Sequence, residues 1–257
     1  MKNFFALLLI IIFSKSVVFS QKKTSEPVKP KAEETVMQAQ PVKDTIPDEV
    51  KIYNLAASFT DFDVAKHAMF SLIAKYPSRV DYVDSLARIY YSMNAYPQCL
   101  TAADFVLRSQ PDNQQMMELS AICQGAMKND KEALAIYERL FAKTKSIFHL
   151  YQVAVLQYSL QRNAECSASV ETILADKDAA TQKVQISYDE QNAQNVPLSA
   201  AAYNLRGVMH KDMKETEKAK VDFEAALKGY PDFKLAKNNL DMMNKPSEYS
   251  KEKVKKK

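Results

Sequence analysis

Residues 46–243 match themselves at a spacing of 34 positions, and no other feature of the sequence constrains the fold as tightly. With Ala65, Cys99, Ala133 and Ser167 placed in register, the aligned position always holds a small residue. Leu72, Val106, Leu140 and Leu174 follow seven positions later, and Pro77, Pro111, Lys145 and Ala179 twelve positions later. The frame breaks once and resumes with Ala219 at the small position, Ala226 and Leu227 after it, and Pro231 at the close. Between these landmarks glycine is almost absent, and Ala, Leu, Met and Tyr recur at helical spacing, which predicts helices joined by short links. A unit of this length holds two helices of about 13 residues, with a small side chain where they cross so that the backbones can approach. One such hairpin cannot cover its own apolar faces. Stacked hairpins can, and stability then becomes a sum over neighbouring interfaces.

The period divides the chain. Units are expected near 46–79, 80–113, 114–147, 148–181 and 200–233, followed by a capping helix over 234–243. Residues 182–199 (QKVQISYDEQNAQNVPLS) interrupt the frame, and Val184, Ile186 and Tyr188 alternate with polar residues as a strand would. This predicts an inserted loop or small hairpin, with the next helix starting near Pro197. Such insertions map to one face of an array and serve either as binding elements or as filler. Residues 1–20 read as an export signal: Lys2, the apolar run Phe4 to Phe13, and Val18-Phe19-Ser20 before Gln21. The run is about half the roughly 20 residues of a membrane span, which favours cleavage; an uncleaved anchor with Lys15 at the interface is the alternative. Residues 21–45 are rich in Lys, Glu, Pro, Gln and Thr and too poor in apolar side chains to offset their ordering entropy, so a disordered linker is expected. Residues 244–257 form a basic, disordered tail.

In the last unit Tyr203, Gly207, Ala219, Phe223, Ala226, Leu227 and Pro231 hold an ordered set of aromatic, glycine, alanine and proline landmarks. The second unit shows Leu86, Ala87, Tyr90 and Pro111, the third Ala121, Ala133, Tyr137 and Leu140, and the first Ala65. In period, order and chemistry these residues resemble the tetratricopeptide repeat family, over about three quarters of the chain. The resemblance implies an all-α, right-handed superhelical solenoid of about five repeats with a C-terminal capping helix. Two departures stand out. The family's tryptophan is replaced by Val83, Met117, Tyr151 and Tyr203. Its inter-helix glycine is replaced by Asn94, Asn129 and Asn163 at or beside the turn, asparagine being the non-glycine residue most tolerant of a left-handed helix end.

The resemblance further implies that the first helix of each hairpin lines a concave groove. Carried over position by position, the partner-binding candidates are Asp84, Arg88 and Tyr91; Gln115, Glu118 and Ile122; His149, Gln152 and Leu156; and Asn204, Val208 and Lys211. Such a groove is charged toward its front and more apolar at Ile122, Leu156 and Val208, a mixture that suits an amphipathic helix or extended peptide. The Lys, Asn and Arg set with which some family members grip an acidic C-terminus is missing, since the corresponding places hold residues such as Asp84, Gln115, Leu119 and Val153.

Chemistry beyond binding finds little support. His67, His149 and His210 lie in three different units without a second ligand at metal spacing. His210 occupies the pattern's tyrosine position, which predicts a packed core histidine. Asp61, Asp63, Asp81, Asp84, Asp130 and Glu132 are spaced as helix caps and solvated faces and not as an acid and base pair. Cys99, Cys123 and Cys166 sit among apolar neighbours and read as buried free thiols, with a Cys99–Cys123 bridge as the alternative. Neither catalysis, a metal nor a cofactor is expected. The formal charge of +4 does not signal nucleic-acid binding. Residues 1–20 contribute +2, 21–50 −1 and 244–257 +4, leaving −1 for 51–243, so the folded part has no basic excess to form a phosphate-binding stripe. The sequence thus predicts an exported, non-enzymatic scaffold, periplasmic or otherwise envelope-associated, that binds another protein or peptide. The alternative is an envelope structural component that docks to membrane or cell-wall machinery through its termini.

Overall fold

The computed structural model describes residues 46–189 and 191–244; the expected signal, linker and residues 245–257 of the tail lie outside that range. Five helical hairpins follow one another: α1 (Asp48–Ser58) with α2 (Phe62–Lys75), α3 (Val80–Ser92) with α4 (Tyr96–Ser109), α5 (Gln114–Ala126) with α6 (Asp130–Thr144), α7 (Ile147–Ser159) with α8 (Asn163–Ala175), and α9 (Leu198–Asp212) with α10 (Thr216–Gly229). Helix α11 (Lys234–Asn244) closes the stack. Between α8 and α9 the insertion forms a two-stranded antiparallel hairpin, β1 (Lys183–Ser187) and β2 (Ala193–Pro197), with Val184 opposite Val196 and Ile186 opposite Gln194. Each helix packs on the next in the chain, as a solenoid of hairpins requires.

The links come in two kinds, each set by local chemistry. Within every hairpin the turn pivots on one residue with positive φ: Thr60, Asn94, Lys128, Gln161 and Lys214. In the second hairpin the Asn94 N–H donates to Tyr91 O at 2.9 Å and the Ala95 N–H to Tyr90 O at 2.8 Å; the other four turns repeat this bonding pattern. It satisfies helix-end carbonyls by the Schellman arrangement, whose left-handed residue is ordinarily glycine. The asparagine expectation therefore holds only at Asn94. Lys128 and Gln161 carry the conformation in place of Asn129 and Asn163, which begin or flank the following helix. Between hairpins the links Tyr76–Arg79, Gln110–Asn113 and Tyr230–Phe233 are four residues long, each with proline second. Proline can neither continue a helix nor leave its predecessor free to be helical, so it fixes the stop. The third link has Lys145 at that place. Helix α6 consequently runs one residue longer than α4, the link shrinks to Lys145 and Ser146, and Lys145 itself turns left-handed at φ 54°.

That shortened link moves the fourth hairpin back by one residue. The small residue at its crossing is Cys166, fully buried, and not Ser167, which is half-exposed; likewise Ile173 takes the place expected of Leu174. The other crossings hold the expected Ala65, Cys99, Ala133 and Ala219, all fully buried or within 1% of it. Leu86, Ala87, Tyr137, Leu140, Phe223 and Ala226 are buried beside them, Tyr90 and Tyr203 half-buried, while Pro111 and Pro231 sit exposed in their links. The three cysteines are buried free thiols. Burial pushes the Cys166 thiol up to about 11, so it behaves as a small hydrophobe.

The core is a series of clusters between adjacent hairpins. One joins Ala65, Met69 and Leu72 to Leu86 and Ile89; the next joins Cys99, Ala103 and Val106 to Met116 and Cys123. The largest runs through the last three hairpins and takes in Val184, Ile186 and Val196 from the β-hairpin with Phe233 from the last link. Burying a side chain of this size contributes about 1.5–3 kcal/mol, which is why the β-hairpin folds as part of the array. It also serves α11 directly: the Lys234 N–H donates to Gln194 Oε1 at 2.8 Å, and Gln194 Nε2 donates to Asp232 O at 2.8 Å. The insertion thus supplies, from 40 positions away, a cap for the last helix.

Gly207 shows how close the crossing is. A Cβ added there would lie 2.7 Å from the Phe223 ring, whereas one added at Gly125 would meet nothing within 4 Å. Gly207→Ala is expected to lower stability by about 1–3 kcal/mol through overpacking. Gly125→Ala is expected to raise it by up to about 1 kcal/mol through helix propensity. Urea denaturation of the two variants checks the opposed signs.

Candidate functional site

The first helices of successive hairpins approach one another, with α3 packing on α5, α7 on α9 and α9 on α11. The second helices show no comparable pairing. Elements that converge on one side and splay on the other make that side the inner one, so the inner face is built from α3, α5, α7 and α9. Polar bridges tie it across units. Arg88 donates through Nε to Asp84 at 2.6 Å and through Nη2 to Gln115 at 2.7 Å, joining α3 to α5. Glu118 on α5 meets His149 Nε2 on α7 at 2.5 Å. The Tyr158 hydroxyl on α7 donates to Asp212 on α9 at 2.5 Å, and Asn239 on α11 donates to Asn204 on α9 at 3.0 Å.

The His149 ring is held at both nitrogens: Nδ1 lies 2.8 Å from Thr144 Oγ1, a hydroxyl also within hydrogen-bond distance of Leu140 O, and Nε2 faces Glu118. The Tyr137 ring lies beside His149, and burial, with the Glu118 carboxylate adding to it, holds the Tyr137 phenol well above its ordinary range. Burial first, and then the bond to Asp212, does the same for Tyr158.

Between these bridges Tyr91, Ile122, Leu156 and Val208 are half-exposed, so each first helix offers one large apolar side chain. Asp84, Glu118 and Lys211 are also half-exposed and Arg88 exposed. Three candidates differ from expectation. His149 is buried at 5% exposure between Thr144 and Glu118. Gln152 is buried at 4% exposure, its Nε2 the buried side-chain polar atom without a partner among the described residues. Asn204 is buried at 6%, because α11 lays Asn239 over it. The fifth unit's share of the face is thus cut to Val208 and Lys211 by the capping helix.

Sequence reasoning also missed a buried ion network inside the last hairpin. Asp222, 2% exposed, accepts from Arg206 Nη2 at 2.7 Å and from His210 Nδ1 at 2.9 Å. His210, expected as a packed core histidine, is half-buried and packs as a partner of the Asp222 carboxylate. The legible signal was Arg206 and His210 one turn apart on α9. The expected acidic roles are otherwise mixed: Asp61 caps α2 through the Val64 N–H at 3.2 Å, while Asp63 and Asp81 pair with Lys66 and Arg79. Among the described residues no three His, Cys, Asp or Glu side chains group as metal ligands. Two shallow clefts of about 370 and 410 Å³ open elsewhere, the first between α6 and the α7–α8 turn at Leu160 and Arg162, the second among α4, α5 and α6, and neither is lined by Tyr91, Ile122 or Leu156.

No protein-family model and no curated protein matches the sequence. Solved structures do. YrrB, described as a TPR protein with an unusual peptide-binding site, superposes with a TM-score of 0.57 at 15% identity, over 74% of this chain and 89% of that one. This is a tetratricopeptide-repeat fold. The MamA protein matches with a TM-score of 0.57 at 14% identity, over 71% of this chain and 90% of its own. MamA from Desulfovibrio magneticus RS-1 does so with 0.51 at 13%, over 64% and 83%.

Removing the Asp222 carboxylate strands Arg206 and His210. Breaking a buried pair costs about 3–5 kcal/mol, and because Arg206 keeps some contact with water the lower end applies. Asp222→Ala should therefore lower stability by about 3 kcal/mol, read as a drop in the urea midpoint.

Proposed function

We propose that this protein is a non-enzymatic scaffold that holds a peptide or amphipathic helix of a partner protein along the inner face of α3, α5 and α7. One observation carries the reading: Tyr91, Ile122 and Leu156 stand half-exposed on adjacent first helices, while Arg88 and Gln115, and Glu118 and His149, are already bonded to one another between them. A face whose charged groups are largely paired presents apolar steps at a reduced desolvation cost, which suits the apolar stripe of a helix or alternate side chains of an extended segment. The description of YrrB as having a peptide-binding site supports the same use of the fold.

The export signal read at residues 1–20 supports a periplasmic or envelope location for this scaffold. A second reading, docking to the envelope through the termini, is favoured by the +4 charge of residues 244–257. It predicts salt-sensitive binding to anionic vesicles that is abolished when residues 245–257 are removed.

In-cell cross-linking identifies the partner, and replacement of Tyr91, Ile122 and Leu156 together by serine tests the face. Capture is expected to weaken roughly tenfold or more with helicity intact, since desolvated apolar anchors carry most of an interface's energy. Unchanged capture would move the site to the outer surface or the β-hairpin.

A further inference from the structure

Every first helix after α1 is covered on one side by the second helix of the preceding hairpin: α3 by α2, α5 by α4, α7 by α6, α9 by α8 and α11 by α10. Helix α1 has no such neighbour among the described residues, yet its sequence is written for one. Shifted by one period, Ile52 and Leu55 correspond to Leu86 and Ile89, which are 5% and 4% exposed because they pack on Ala65, Met69 and Leu72 of α2. On α1 the same positions are 47% and 62% exposed, and Phe59, one turn further, is 74% exposed. Val50, Tyr53 and Ala56 already serve the contact with α2, so the stripe is surplus to the hairpin's own packing. Half of an inter-unit interface is therefore present without its other half. Contiguous apolar surface of this kind marks an interaction site.

The surroundings of the stripe point to what covers it. Both carboxylates of α1 are neutralised within the hairpin, Asp48 by Lys51 at 2.8 Å and Glu49 by Lys75. The stripe therefore carries no net charge to select a charged partner and none to repel its own kind. The far end of the stack is a poor complement, because α11 covers α10 and, around the exposed large apolar side chain of Met242, turns Lys234, Lys237 and Asp241 to solvent. A head-to-tail contact would bury those charges against apolar side chains, at a cost a symmetric contact avoids. Spacings of three and four residues between the stripe's members make the seam of a helix pair. We propose that two copies of the chain associate through α1 across a two-fold axis, each covering the other's Ile52, Leu55 and Phe59. A closed pair of this type is isologous and ends there, with both inner faces left free.

Sedimentation of the full chain, compared with the same chain carrying Leu55→Glu and Phe59→Glu, tests this. The unaltered chain is expected to sediment as two copies, and the variant, with helicity unchanged, as one, its dissociation constant raised roughly thirtyfold or more. A photo-crosslinking benzophenone side chain at position 59 is expected to join residues 46–60 of two copies. A single-copy mass for the unaltered chain, undiminished pairing of the variant, or cross-links to residues 21–45 of the same chain or to a different protein would overturn the proposal.

Discussion

Two helices can lie close enough for their flanking side chains to interlock only if something small stands where they cross, and each hairpin of this protein meets that condition. Ala65, Cys99, Ala133, Cys166 and Ala219 are buried at the five crossings. At the last, the clearance is so small that Gly207 has no room for a methyl group against Phe223. Close approach in turn fixes the apolar residues one and two turns away into the clusters that join each hairpin to the next. No single central core exists to compensate for a lost crossing, so the array depends on each interface in succession.

The fold was legible because its physics is periodic. Small residues, helix-stopping prolines and large apolar residues recur where the geometry needs them, and the frame survives even where the family's tryptophan and glycine are absent. What could not be read was the consequence of one missing proline. Lys145 cannot stop α6 as Pro77 and Pro111 stop the helices before it, so the helix gains a residue, the link loses two, and Cys166 replaces Ser167 at the crossing. A count of 34 cannot register a change in link length that keeps both residues small. The left-handed turn positions were missed for a related reason: the turn's location follows from helix length, and lysine or glutamine accepts the conformation at a cost of about 1–2 kcal/mol.

The inner face was legible in outline only. Tyr91, Ile122, Leu156 and Val208 lie where position-by-position transfer puts them, half-exposed on successive first helices. His149, Gln152 and Asn204 do not, since exposure depends on neighbours that the period does not specify. Asn204 is closed off by Asn239 of a helix that lies outside the repeat, and the Asp222 network is hidden because its members sit 12 to 16 positions apart on two helices. The β-hairpin, legible as an alternation at Val184 and Ile186, has a role that only coordinates reveal: it closes the core of the last three hairpins and caps α11.

The most direct test of this account is a paired substitution in the fourth hairpin. Urea denaturation of Cys166→Leu is predicted to show a loss of about 1–3 kcal/mol from overpacking at the crossing. Ser167→Leu, on a half-exposed position, is predicted to stay within about 0.5 kcal/mol of the unaltered chain. The reverse order, or two equally tolerated substitutions, would contradict the claim that a small residue at each point of closest approach organises the stack.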